Sequence, residues 1–144
     1  MNFNRECEYA LKGMVALAGA AQDQALPLRE IAAQENLPQG FLSKIFQRLV
    51  RQGLLESNRG ARGGYTLARP APDITLRQIL EAIEGPDLFD RCLFSYRRCG
   101  QETTCIIHPY WRRLRGDVSK LFDEVSLQDL AVSQRSAAAN TLRS

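Results

Sequence analysis

The chain has one histidine and one tryptophan among 144 residues, and its four cysteines include no Cys-x-x-Cys pair. That excludes a thioredoxin-like dithiol. Neither His-Glu-x-x-His nor Gly-x-Ser-x-Gly occurs, so zinc-protease and hydrolase-nucleophile patterns are missing as well. One histidine cannot be a metal ligand and a general base at once, so no enzyme is expected. No apolar run approaches the roughly 20 residues of a membrane span. The opening MNFNREC brings charge early, with no apolar stretch of a signal peptide behind it. The expectation is a cytoplasmic protein without a membrane partner. Its thiols then stay reduced, and a disulfide framework is the weaker reading of four cysteines.

What is present is unevenly placed. The net charge is only +3, but Lys44 to Arg69 holds six basic residues against the single acid Glu56. Arg91 to Arg115 holds six against Glu102, and beyond Gly116 the balance turns acidic. Two basic blocks on a nearly neutral chain suit a polyanion. Without an accompanying motif they would be ordinary solvated charge.

The motif is an element order. Residues 7–20 carry Tyr9, Leu11, Met14, Val15, Leu17 and Ala18 at helical spacing. A shorter helix is expected over Leu28–Leu37. A third follows Pro38 and stops at Gly53, with Leu42, Ile45, Phe46, Leu49 and Val50 at i, i+3, i+4, i+7 and i+8. The period then changes. Leu54–Ser57 and Tyr65–Leu67 read as strands around a glycine-rich reversal at residues 58–64. Three helices and a hairpin form a winged helix: a mainly α fold with a small β-hairpin wing. A fourth helix runs from Thr75 to Gly85, and a long C-terminal helix begins near His108. Its residues Ile107, Trp111, Leu114, Val118, Leu121 and Val125 make either a dimer seam or a stripe packed on its own domain. Residues 131–144 show no apolar face and are expected to fray. The expected organisation is a DNA-binding domain over 1–85, a ligand loop over 86–107, a dimerisation helix over 108–130 and a flexible tail over 131–144.

In that fold the third helix presents Gln39, Ser43, Lys44, Gln47, Arg48 and Arg51 outward. Its N-terminal half is suited to base edges and its C-terminal half to phosphates. Arg59 and Arg62 on the wing would reach the backbone or a narrow minor groove. The expected partner is double-stranded DNA with a pseudo-palindromic operator.

The ligand loop holds Cys92-x6-Cys99-x5-Cys105-x2-His108, three thiols and the only histidine within seventeen positions. Thiolates with an imidazole bind zinc or an iron–sulfur cluster. Spacers of six and five count against zinc, whose small modules usually contain a Cys-x2–4-Cys knuckle. Arg91, Arg97, Arg98, Arg112 and Arg113 are placed to offset the thiolate charge. Cys7 reads best as a buried small hydrophobe.

The segment RGARGGYTLARPAPDITLRQILEAIEG (Arg59–Gly85), the opening EYALKGMVALA, the Leu28–Gly53 block and CIIHPYW (Cys105–Trp111) together resemble the Rrf-type bacterial winged-helix regulators. The resemblance extends over residues 1 to about 130. It implies a homodimeric transcription factor, usually a repressor, that dimerises through the long C-terminal helix. In the cluster-binding branch, three loop cysteines hold a [2Fe–2S] or [4Fe–4S] cluster, and Cys92, Cys99 and Cys105 match them. The first gap is six residues where some relatives have five. His108 matches the fourth ligand of IscR-like members. Glu8, contributed by the partner subunit, matches that of NsrR-like members. The implied function is regulation of operator affinity by a cluster that senses iron, nitric oxide or redox state. The alternative is a zinc-stabilised winged-helix DNA-binding protein.

Overall fold

The computed structural model describes residues 3–20, 24–94, 98–99 and 105–143. Helix α1 (Arg5–Ala18) starts where the Asn4 side chain accepts from the Cys7 N–H at 3.2 Å, with Glu6 and Glu8 in its first turn. Both features favour a helix N-terminus. Helix α2 is Leu28–Gln34, three residues shorter at its end than the sequence suggests. The chain leaves it through Asn36, which sits at φ 52°, a conformation that asparagine tolerates. Helix α3 (Gln39–Arg51) follows, so α2 and α3 form the helix-turn-helix.

Strands β1 (Leu55–Asn58) and β2 (Gly64–Leu67) pair antiparallel, with Leu55 opposite Leu67 and Asn58 opposite Gly64. This is the expected hairpin, its first strand displaced by one residue. It is tied to the helices twice. Tyr65 and Leu26 exchange both main-chain hydrogen bonds, at 2.8 and 3.0 Å. The Tyr65 ring also meets Phe46 of α3 edge-on, at 5.0 Å between centroids. Helix α4 (Leu76–Glu84) begins in a full capping box, with Thr75 accepting from the Gln78 N–H and Gln78 reaching back to the Thr75 N–H.

The core lies where α1, α3 and α4 meet. Met14, Leu42, Phe46, Leu49, Ile79 and Leu80 are buried there. Gly13 allows the closest approach: a β-carbon at that position would stand 2.5 Å from the Phe46 ring.

Helix α5 spans His108–Glu124. The segment after it departs from expectation. Instead of fraying from Ala131, residues Leu127–Arg143 form helix α6, with Leu127 and Ala131 buried. Two local features explain the correction. Ser126 and Asp129 cap the helix reciprocally, at 2.9 and 3.1 Å. Residues 74–76 and 125–127 also bridge, with Leu127 N–H donating to Ile74 O and Leu76 N–H to Val125 O, both at 2.8 Å. A short anchored start and an alanine-rich continuation suffice for a helix without an apolar stripe.

Gly64 is the tightest point of the wing. Its φ is +149°, and a side chain there would run into the Leu26 carbonyl and lie 2.7 Å from Pro27 N. Backbone atoms cannot yield as a flexible side chain does. Gly64→Ala should destabilise the protein by about 2 kcal/mol or more in urea unfolding. An unchanged midpoint would contradict this close approach.

Candidate functional site

Two surfaces concentrate chemistry: the outer face of α3 with the wing, and the cysteine loop with the start of α5.

On α3 the buried residues Leu42, Ile45, Phe46 and Leu49 turn the opposite face outward. Gln39, Lys44, Gln47 and Arg51 are exposed and Ser43 is half-buried. Arg59 and Arg62 are exposed in the wing turn, and Asn58 Nδ2 donates to Thr66 Oγ1 across its base at 3.2 Å. Of the eight residues read as DNA contacts, Lys44, Gln47, Arg59 and Arg62 are exposed, and Arg51 is exposed while its Nε donates to the Gln47 carbonyl at 3.4 Å. Gln39 and Ser43 lie toward the N-terminal end of α3.

Arg48 behaves differently. Its guanidinium pairs with Glu6 of α1 at 2.6 Å and donates to the Ile83 carbonyl near the end of α4 at 3.2 Å. The side chain read as a phosphate contact is occupied in clamping α3 to two neighbours. Spacing on the helix could not reveal this, because Glu6 is distant in sequence. Phe41 is a residue the sequence reading missed on this surface: its side chain is 58% exposed on α3. It fell outside the polar pattern used to choose contacts.

In the loop, Cys92 and Cys99 are half-buried and Cys105 is exposed. Cys99 Sγ lies 2.9 Å from His108 Nδ1. The Cys99 thiol is raised above its ordinary pKa, chiefly by burial and next by the charge of Cys92; Cys105 adds to this and Arg115 opposes it. Cys99 thus feels both Cys92 and Cys105, and His108 lies against its sulfur. Among the described residues, no three Cys, His, Asp or Glu side chains close to the spacing of a single metal ion. Three thiols and an imidazole are soft donors, the chemistry that suits either an iron–sulfur cluster or zinc.

The arginines divide unexpectedly. Arg97 lies outside the described residues, while Arg98, Arg112 and Arg113 are exposed. Arg91 is engaged by carboxylates. It pairs with Glu84 at 2.9 Å and Asp87 at 3.1 Å, and also donates to the Glu84 carbonyl. Its own carbonyl accepts from Trp111 Nε1 at 2.9 Å and from Arg115 at 3.4 Å. Arg115, not singled out from sequence, is the cation acting on Cys99.

Glu84 continues the connection, because its other carboxylate oxygen accepts from Asn4 N–H at 3.3 Å and Cys7 Sγ at 3.5 Å. Burial and the charge of Glu84 push the Cys7 thiol up to about 12. That makes Cys7 a poor thiolate donor, in keeping with a core role. Next to it, Glu8 faces solvent and pairs with Lys12 at 2.7 Å, which holds its carboxyl below the usual range.

Helix α5 is apolar on two sides. Trp111 is buried, and Val118 and Phe122 pack on the core. Leu114 and Leu121 are 55% and 53% exposed, with Tyr110 and Ile107 also open.

A helix-turn-helix joined to a glycine-framed wing, with exposed basic residues on both, defines a winged-helix DNA-binding regulator. Over residues 3–133 the chain matches the Rrf2 family, described as "Iron-dependent Transcriptional regulator", and it belongs to that family. A protein of Mycobacterium tuberculosis, assigned provisionally as an HTH-type transcriptional regulator, is 34% identical over 91% of this chain and 81% of its own length. The transcriptional regulator IscR of Photorhabdus laumondii is 28% identical over 93% of this chain and 81% of its own. In three dimensions the chain is similar to CymR, the global cysteine regulator of B. subtilis. The TM-score is 0.80 at 28% identity, covering 92% of this chain and 98% of that one. These relatives are transcriptional regulators, not enzymes. No helix among the described residues is long and apolar enough to cross a membrane.

The two classes of α3 arginine and lysine should separate experimentally. Lys44→Ala should leave stability within about 0.5 kcal/mol of wild type and lower the slope of log affinity against log salt by about one. Arg48→Ala should cost about 1–2 kcal/mol in chemical denaturation, because it breaks an ion pair and a charged hydrogen bond. If Arg48→Ala is as stable as wild type, the clamp carries no energy.

Proposed function

We propose that this chain is a homodimeric regulator, acting as a repressor, whose operator affinity is set by an iron–sulfur cluster on Cys92, Cys99 and Cys105. His108 is the preferred fourth ligand, and Glu8 of the partner subunit is the alternative. The observation that carries the reading is the 2.9 Å approach of His108 to Cys99, a thiol that also feels the charges of Cys92 and Cys105. His108 follows Cys105 by three positions at the start of α5, so little chain entropy is spent in bringing the two together. When bound, the cluster supplies a redox-active centre that oxidants, nitric oxide or iron scavengers can alter.

The protein's own part is transmission. Cys92 is the next residue after Arg91, and Arg91 holds Glu84. Ile83, the residue before Glu84, gives its carbonyl to Arg48 of α3. An ordered loop fixes Arg91, which fixes the end of α4, which sets the seat of α3. The Trp111–Arg91 hydrogen bond ties the same loop to α5. Loop order thereby reaches both the DNA-reading helix and the helix read as the dimer seam.

Dimerisation is supported by the exposed apolar edge of α5, which a monomer would leave in water. A two-fold dimer would place two α3 helices on half-sites about one or more helical turns apart. Leu114→Glu combined with Leu121→Glu should give monomers by analytical ultracentrifugation and sharply weaker operator binding. A wild type that is monomeric at micromolar concentration would refute the seam.

The cluster is tested by anaerobic purification. Wild type should show visible absorption with stoichiometric iron and sulfide. Each of Cys92→Ala, Cys99→Ala and Cys105→Ala should lose it and change operator affinity by about tenfold. Of His108→Ala and Glu8→Ala, only the true fourth-ligand variant should shift the spectrum and weaken the cluster. Native iron content in all three cysteine variants would end the sensor reading. A colourless protein with one zinc would establish the zinc-stabilised alternative.

A further inference from the structure

Phe41 is the third residue of α3, and its ring is 58% exposed, whereas Leu42, Ile45, Phe46 and Leu49 of the same helix are buried. A phenyl ring left in water costs free energy that any apolar partner would recover. Its neighbours indicate which partner is available. Lys44 lies one turn on, at i+3, along the same side of the helix. Gly40, beside Phe41, has nothing within 4 Å of where a β-carbon would stand. No acidic side chain sits in the first turn of α3. This end of the helix can approach a polyanion closely and without repulsion, and it carries one large apolar group forward.

The residues of a DNA-reading helix that reach base edges lie in its N-terminal part. In the major groove, the one apolar substituent on an unmodified base pair is the C5 methyl of thymine. Gln39, Ser43 and Lys44 can read donors and acceptors but gain nothing from a methyl group. We infer that Phe41 is a specificity-determining residue that selects thymine in each half-site by packing its ring on the C5 methyl. The inference rests on the reading of α3 as the base-contacting helix. It adds a contact of different chemistry from the polar ones named above. A 5-methylcytosine offers the same methyl group, so the two bases must be told apart by experiment.

The test uses full-length protein and a duplex that it selects from a random pool. Thymines in each half-site are replaced singly by uracil, which removes the methyl and preserves base pairing. Wild type should lose about fourfold at one position per half-site, on the scale of burying one methyl group. Phe41→Ala should bind the thymine duplex about fourfold more weakly and be indifferent to uracil at that position. Phe41→Leu, which keeps an apolar tip, should retain part of the discrimination, and thermal unfolding of both variants should match wild type. Putting 5-methylcytosine in place of the critical thymine, paired with guanine, separates the sources. Weaker binding than to thymine shows that the site selects thymine over the other methylated pyrimidine; equal binding overturns thymine selection. Wild type indifferent to uracil everywhere, or Phe41→Ala as sensitive as wild type, also overturns the inference. In either case, if Lys44→Ala and Gln47→Ala still weaken binding, α3 remains the reading helix and only the role of Phe41 falls. If those two also bind like wild type, the reading of α3 itself fails.

Discussion

The Arg91–Glu84 ion pair joins more of this molecule than any other polar contact described. The Glu84 side chain is only 7% exposed, and its carboxylate is shared among Arg91, the N-cap residue of α1 and the Cys7 thiol. Such a charge is tolerable only while its partner stays in place. Removing one member of a buried pair typically costs about 3–5 kcal/mol, because the other is left uncompensated. The pair therefore constrains geometry more than it adds net stability. While Arg91 is held, the first cysteine of the loop starts from a fixed point. The end of α4 is likewise fixed relative to α1.

From that junction the two working surfaces diverge. Trp111 and Arg115 reach back from α5 to the Arg91 carbonyl, and Arg48 reaches from α3 to the neighbouring Ile83 carbonyl. Main-chain carbonyls on either side of one ion pair thus receive donors from the cysteine-loop side and from the DNA side.

Much of this architecture was legible in the residues. The i, i+3, i+4 rhythm of Leu42, Ile45, Phe46 and Leu49 dictated α3, and Thr75 and Gly85 bounded α4. The glycine-rich turn set the wing. What escaped depends on contacts between distant residues. Helix α6 needs the bridge between residues 74–76 and 125–127, which no local pattern announces. Arg48 and Lys44 look alike on a helical wheel, yet one is engaged by Glu6 and the other is exposed. Arg91 seemed placed to balance thiolates because it adjoins Cys92, but consecutive side chains need not face the same way, and it turns to Glu84. Phe41 was passed over because apolar residues on a helix usually mark the core.

The attachment of the wing has a consequence for the choice of DNA. Leu26 and Tyr65 join the hairpin to the chain entering α2, and the Phe46–Tyr65 ring contact fastens it to α3. If α3 and the hairpin contact DNA as proposed, they would meet the duplex as a single gauge with a preset opening. At a site that does not match that opening, the double helix would have to bend or change its groove width. Base steps that deform easily would then be favoured even where no side chain reaches them. Part of this protein's selectivity would then be written in the stiffness of its target rather than in its letters.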